Sequence, residues 1–427
     1  MRDTWRRLLA GRWPYWLAKL YLKRRRYGCR ALCSLALTGA DQVRAWYRGE
    51  RPVVWTTAFV PTELIYGMGI MPLAVEVIAA LVTGMGLAPR LLSAAEASWY
   101  SSDLCSFHRT VMGGALLDWW PRPVALVAST HLCDGAPRLF HNLGRLYGVP
   151  VRIIDVPAEF SSEARAYVAG QLRELSRWLA EVTGRKFHPE GLARALDLSN
   201  QARSWLMEAN RYRRSDPSPL PGQQALDFLW LGFMGQGGEA AAGIYRQLAL
   251  ELKARAEASG TGPSDRHRLL WLHLKPYYRT ELWDLLSEHG AVVAFEEFSH
   301  VYWPELAPDS PWTGLAQKML SHFSLGPVER RIEVIRQLVR DYGCTAVVQY
   351  GHWGCRQSNG STGILKEALE KDGVPYLWLP GDCVDARTYA VGQTLTRLAA
   401  FLEMLEARRP PGGGAHRGER NGSGSRD

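Results

Sequence analysis

TAVVQYGHWGCRQSNGSTG, residues 345–363, is an apolar run that opens into a glycine-flanked loop carrying His352, Trp353, Cys355 and Arg356. A buried strand that ends by presenting a thiol is the pattern of a chemical site, provided that other stretches match it. They do. VVWTT (53–57), PVALVAST (123–130), VPVRIIDVP (149–157), HRLLWLHL (267–274), AVVAFEE (291–297) and VPYLWLP (374–380) also read as strands, with helical stretches between them. Strands alternating with helices indicate parallel sheets with crossover helices. The expected fold is α/β: two parallel-sheet, flavodoxin/Rossmann-like domains joined by a helical segment.

The boundaries follow from composition. Residues 1–50 read as a basic helical extension, 51–158 as the first α/β domain, 159–222 as a helical segment ending in the linker RSDPSPLPG (214–222), and 223–409 as the second domain. Residues 410–427 are of low complexity and read as disordered. The helical segment has apolar residues at spacings of three and four (Val168, Leu172, Leu175, Leu179). SSDLCSFHRTVMGGALLDWW (101–120) reads as a helix capped by Ser101, Ser102 or Asp103.

The formal charge of +9 invites a nucleic-acid reading, but the first 30 residues hold ten Lys/Arg against the single acid Asp3, and the remainder is close to neutral. A basic stretch interleaved with Trp and Leu suits a membrane surface or an acidic partner. The plainer reading is a solvated helical extension packed on the body by its Trp and Leu residues. LIYGMGIMPLAVEVIAALVTGMGLAP (64–89) is interrupted by Glu76, Pro72 and four glycines. It reads as buried helix, strand and turn rather than as a span of about 20 apolar residues. With no secretory signal visible, the expected compartment is the cytoplasm. There, seven cysteines are metal ligands or reactive thiols rather than disulfides.

Three of those cysteines fall at comparable places. Cys133 lies just past PVALVAST and Cys355 just past TAVVQY, and sites in open α/β sheets form outside the carboxyl ends of strands. Cys105 falls in the first turn of a predicted helix, where the helix dipole favours a thiolate. Three thiolates on separate loops across an interdomain cleft suit a [4Fe–4S] cluster, normally held by four cysteines, with one iron left open.

TAFVPTELIYGMGIMPL, DLCSFHRTVMGG, STHLCDG and GHWGCRQSNG…GVPYLWLPGDCVDAR resemble, in order and spacing, the 2-hydroxyacyl-CoA dehydratase and benzoyl-CoA reductase superfamily, from about Pro52 to Glu406. The resemblance implies that Cys105, Cys133 and Cys355 bind an iron–sulfur cluster between two α/β domains. It implies an ATP-hydrolysing iron–sulfur activator as partner, single electrons delivered to the thioester carbonyl of an acyl-CoA, and loss of a hydroxyl through a ketyl radical or reduction. It also implies a dimer, with a second subunit of the family or with itself. HWGCRQ and GDCVDAR are closer to the double-cubane cluster proteins, homodimeric reductases of small molecules. In that reading Cys383 is a further ligand or a thiol beside the cluster; its plain reading is a small buried residue. A third reading is a non-catalytic accessory or electron-transfer subunit that keeps the cluster.

Around the thiols, His131, His352 and His108 are candidates for hydrogen bonds to sulfur or for proton movement, and Glu63 and Asp134 for proton transfer. Capping or a salt bridge is the plainer role for the two acids. Arg356 and Arg387 are candidates for CoA phosphates, or for pairing with acids such as Asp382 and Asp385. GFMGQGGE (232–239) matches neither a dinucleotide fingerprint nor a P-loop and reads as the approach to a helix. ATP hydrolysis then belongs to the partner.

Overall fold

The computed structural model describes residues 11–258 and 264–408. The first ten residues of the basic extension and the tail 410–427 lie outside the described residues.

Two four-stranded, all-parallel sheets form the body. The first contains β1 (Val53–Thr56), β2 (Met71–Ala74), β3 (Ala125–Ser129) and β4 (Val151–Ile154), in the order β2-β1-β3-β4. The second contains β5 (His267–Leu272), β6 (Ala291–Glu296), β7 (Ala346–His352) and β8 (Tyr376–Gly381), in the order β6-β5-β7-β8. The two sheets therefore repeat one winding. Every residue of the central strands β1, β3, β5 and β7 is buried, whereas the edge strands β4 and β8 are only partly covered. Helices cover both faces of a parallel sheet, and this is why these strands read as continuous apolar runs.

Alternate side chains along each strand feed different cores. Val54, Ala125 and Val127 pack against Val168, Leu172, Leu175 and Leu179 of the helix Ser162–Thr183. Leu270, Leu272 and Val347 pack against Ile335, Leu338, Leu365 and Leu369. The opposite faces meet in one shared cluster that holds Trp55, Leu73 and Leu126 of the first sheet with Trp271, Val348 and Tyr350 of the second. The two halves thus close on a common core.

The segment expected as helical from Ser161 to Tyr212 is two helices, Ser162–Thr183 and Pro189–Tyr212. The first starts where Ser161 Oγ accepts the Ala164 N–H at 3.0 Å and stops at Gly184, which takes a left-handed conformation. Pro189 opens the second at a position where its missing N–H costs nothing. Asn200, Arg203 and Asn210 of that helix hydrogen-bond the carbonyls of Leu306, Trp303 and Ser299, which tie it to the segment after β6.

The basic extension forms helices Arg12–Arg24 and Arg30–Arg48. Packing falls mainly to the second, whose Ala31, Leu32 and Leu35 join Tyr245, Leu248 and Leu252 of the helix Glu239–Ala258. Glu251 of that helix accepts the N–H groups of Arg30 and Ala31 at 2.7 and 3.0 Å. This replaces the cap that Cys29 does not supply. Trp16 and Leu17, expected to pack on the body, are exposed. Among the described residues no helix is long and apolar enough to cross a membrane.

Candidate functional site

In each sheet the winding reverses between the first and third strands in chain order, and the crevice outside their carboxyl ends is where α/β sheets bind ligands. The first sheet places Ala58–Thr62 (58–62) after β1 and His131–Cys133 (131–133) after β3; the second places His273 after β5 and Trp353–Cys355 (353–355) after β7. These loops meet. Gly354 has φ 77°, and a Cβ there would lie 2.9 Å from the Cys105 nitrogen and 3.1 Å from its Cα, so the two cysteine segments touch through backbone. Arg356 Nη2 reaches Asp134 Oδ2 at 2.9 Å and joins the Cys355 loop to the Cys133 loop. Those two candidates pair with each other.

Each thiol faces an imidazole. His352 Nε2 lies 3.4 Å from Cys105 Sγ, His108 Nε2 3.9 Å from Cys133 Sγ, and His273 Nε2 3.9 Å from Cys355 Sγ. The rings of His273 and His352 are parallel, 6.1 Å apart. The tautomer of His352 follows from its surroundings, because its Nδ1 accepts the Cys383 N–H at 3.1 Å. Its proton is therefore on Nε2, directed at the Cys105 sulfur.

Cys105 is not in the first turn of a helix capped by Ser101, Ser102 or Asp103. It is itself the N-cap residue of the helix Ser106–Leu116. Nor does the helix end dominate its acidity: burial, then the neighbouring thiols Cys133 and Cys355, push the Cys105 thiol well above its ordinary range. Burial, then the Glu76 carboxylate, raises Cys133 to about 12, and burial also raises Cys355. Burial lowers His108 to about 4, His352 less, and His273 well below the usual imidazole range. Left to themselves these are protonated thiols beside neutral imidazoles. Cys383 is fully buried, and burial, then Asp382, then Cys355 and Cys105 raise its thiol strongly.

A polar brace fixes the Cys105 segment to the loop after β8. Arg109, 1% exposed, bonds Glu96 Oε1 at 2.5 Å, Asp385 Oδ2 at 3.2 Å and the Leu104 carbonyl at 3.0 Å. Arg387 binds the same two carboxylates, and is therefore committed to pairing. Ser106 Oγ donates to Asp382 Oδ1 at 2.5 Å, and that oxygen also accepts the N–H groups of Val384 and Asp385.

The remaining candidates lie apart from the sulfurs. Glu63, fully buried, is held by Lys318 Nζ at 2.6 Å and by Ser199 Oγ at 2.8 Å. His131 Nε2 bonds the Met319 carbonyl at 2.8 Å, and its ring packs beside Phe59 and His322 on the wall of a neighbouring cavity. A helix begins at Glu239 as expected of GFMGQGGE, and Gly237 is needed because a Cβ would lie 2.7 Å from the Glu63 Cα. Among the described residues no three His, Cys, Asp or Glu side chains converge where one metal ion would sit. A cubane differs in that its thiolates bind separate corner irons.

Sequence reasoning missed His273, His322 and Glu76 as members of this region. His273 ends β5 at the same kind of strand terminus that singled out the cysteines. Glu76 was visible only as a charge inside an apolar stretch. Its carboxylate accepts its own N–H and that of Ala58, and burial raises it to about 7.

The chain belongs to the family described as 2-hydroxyglutaryl-CoA dehydratase, D-component, whose model matches residues 57–405. It is similar to the (R)-phenyllactyl-CoA dehydratase alpha subunit of Clostridium sporogenes, at 23% identity over 85% of this chain and 91% of that one. Similarity to the (R)-2-hydroxyisocaproyl-CoA dehydratase alpha subunit of Clostridioides difficile is 23% over 84% and 91%. With a benzoyl-CoA reductase subunit of Thauera aromatica it is 23% over 74% and 79%. The superfamily expected from the motifs is the one found, and the chain is an enzyme component of it.

Proposed function

We propose that this chain is the cluster-bearing component of an acyl-CoA dehydratase or related reductase, with Cys105, Cys133 and Cys355 holding a [4Fe–4S] group at the meeting of the two sheets. The observation that carries the reading is the convergence of three loops, two of them following strands of different sheets, each bringing one half-buried thiol opposite an imidazole nitrogen. The donor set fits the group: thiols close enough to raise one another's pKa become compatible when deprotonated onto iron. When bound, such a cluster supplies single electrons and a Lewis-acidic iron to the thioester carbonyl.

The protein's own residues do the rest. His352 directs its Nε2–H at the Cys105 sulfur, and the Ser358 N–H, 3.4 Å from Cys355 Sγ, does the same for the third thiol. Hydrogen bonds of this kind tune a metal site from outside its ligand set. The Arg109–Asp385 brace keeps the Cys105 segment against the second half, and the shared core excludes water from below. Electrons come from an ATP-hydrolysing activator, the partner is a second subunit of the family, and the compartment is the cytoplasm. The full burial of Cys383 beside this group favours a second reading, in which it is a fourth thiol of a double-cubane homodimer.

Anaerobic purification with iron and sulfide counting, and EPR of the reduced protein, tests both readings. About four irons per chain with a [4Fe–4S] signal, lost in Cys355→Ala, is the expected result. A sulfide shared between two chains selects the double-cubane form. No iron after anaerobic reconstitution overturns every cluster-bearing reading and leaves the cysteine loops as a structural relic.

A further inference from the structure

Beside the thiol loops lies a largely apolar cavity with about 80 Å³ of room for water-sized groups, space for several non-hydrogen atoms. Phe59, Phe233 and Phe298 form its near wall. Phe298 also packs on His273, 5.8 Å between rings, so one side chain separates the cavity from the imidazole that faces Cys355. His131, two residues before Cys133, and His322 lie on the same wall.

Their hydrogen bonding is complementary. His131 gives its Nε2–H to the Met319 carbonyl, so its Nδ1 carries a lone pair; that atom is buried and has no partner in the protein. His322 Nδ1 accepts the Ser324 N–H at 3.1 Å, so the proton is on Nε2, which is likewise buried without a partner. The rings are 5.3 Å apart, and both residues are almost wholly buried, at 2% and 1% exposure. Phe59 packs on both of them. Two adjacent rings that line the cavity thus each leave one nitrogen without a protein partner, an acceptor on His131 and a donor on His322. A neutral hydroxyl, which donates once and accepts as well, satisfies both.

The charges on the wall exclude another class of ligand. Lys318 is matched by buried Glu63 at 2.6 Å and Arg213 by buried Glu296 at 2.6 Å. A free carboxylate on the acyl group would be a buried charge with no counter-ion left for it.

We propose that His131 and His322 form a donor–acceptor pair that holds the hydroxyl of a 2-hydroxyacyl thioester, and that the substrate's side chain, apolar and uncharged, fills the Phe59–Phe298 cavity. This rests on the acyl-CoA reading above and narrows it to monocarboxylic acyl groups with an aliphatic or aromatic side chain. Both histidines touch substrate in this arrangement, and neither had a role among the thiol contacts.

The test is calorimetric binding to the full chain, purified anaerobically as isolated, with four probes: CoA, phenyllactyl-CoA, 3-phenylpropionyl-CoA and 2-hydroxyglutaryl-CoA. Phenyllactyl-CoA is expected to bind roughly tenfold tighter than 3-phenylpropionyl-CoA, which leaves both histidine nitrogens unpaired. 2-Hydroxyglutaryl-CoA should bind more weakly than phenyllactyl-CoA. His322→Phe should erase the preference for the hydroxyl, and His322→Gln, which keeps an N–H donor, should retain most of it. Equal binding of the two phenyl thioesters by the unsubstituted protein overturns the histidine pair while leaving the acyl-CoA reading in place. Tight binding of 2-hydroxyglutaryl-CoA overturns the apolar assignment. Failure of all four probes to bind overturns the acyl-CoA reading, and this inference with it.

Discussion

His352 and Cys105 come from different halves of the chain and meet with Nε2 3.4 Å from Sγ, in a geometry fixed because the Cys383 N–H occupies Nδ1. An N–H donor to a cluster sulfur favours the more electron-rich state and raises the reduction potential. His352→Phe should keep its iron and titrate at a more negative midpoint in EPR-monitored redox titration. An unchanged midpoint would rule out this hydrogen bond as a tuning element.

The brace at Arg109 makes a prediction about stability. Removing one partner of a buried ion pair costs about 3–5 kcal/mol. Arg387 stays on both carboxylates in the variant, so Arg109→Ala should lie near the lower end, about 3 kcal/mol. Urea denaturation of the iron-free chain measures it, and a loss within experimental error of zero would mean that Arg387 suffices.

Gly354 sets the approach of two cysteines. With φ 77° and the Cys105 nitrogen 2.9 Å from any added Cβ, Gly354→Ala should destabilise the loop by about 1–2 kcal/mol from the left-handed conformation alone. It should also push Cys355 away from Cys105. The variant should remain folded by circular dichroism and hold less iron per chain; full iron content would show that the loop yields without harm.

Glu76 gives a pH dependence. Its folded pKa, about 7, is above the ordinary carboxyl value of 4.5 because burial penalises the charge. Below about pH 4.5 both states bind the proton and Glu76 has no effect. Between there and about pH 7 the unfolded chain loses its proton first, so folding stability falls as pH rises, and the deficit is complete above pH 7. In the iron-free chain Glu76→Gln should therefore be more stable than the unsubstituted protein at pH 8, by roughly 3 kcal/mol, and equal to it near pH 4. Parallel stability curves across that range would refute the assignment.

Much of the fold was legible because parallel strands buried on both faces leave unbroken apolar runs: β1 and β3–β6 each fall inside a run read as a strand, while β7 and β8 overrun theirs by two residues and one, so that His352, read as a loop residue, ends a strand. β2 lies in the stretch 64–89 read as buried helix, strand and turn. The cysteines stood out because each follows a strand or opens a helix. Other features depend on partners distant in sequence. Glu63 looked available beside the cleft, but Lys318, 255 residues away, neutralises it. The start of the helix at Ser106 was misjudged because Ser101 and Asp103 resemble caps, whereas tertiary contacts place the first turn later. His322 gave no periodic or motif signal at all; only its neighbours define it.

The core common to both sheets limits how a ligand can arrive. Trp55 and Trp271 sit in the same apolar cluster, so swinging the halves apart like a clamshell would wet that cluster, at about 25 cal/mol for each Å² exposed. Large-scale breathing is thereby suppressed. Passage to the interior falls to movements of individual side chains at the rim, where Trp353 stands exposed next to the cysteine loop. Heating should correspondingly melt the two halves together, as one calorimetric event.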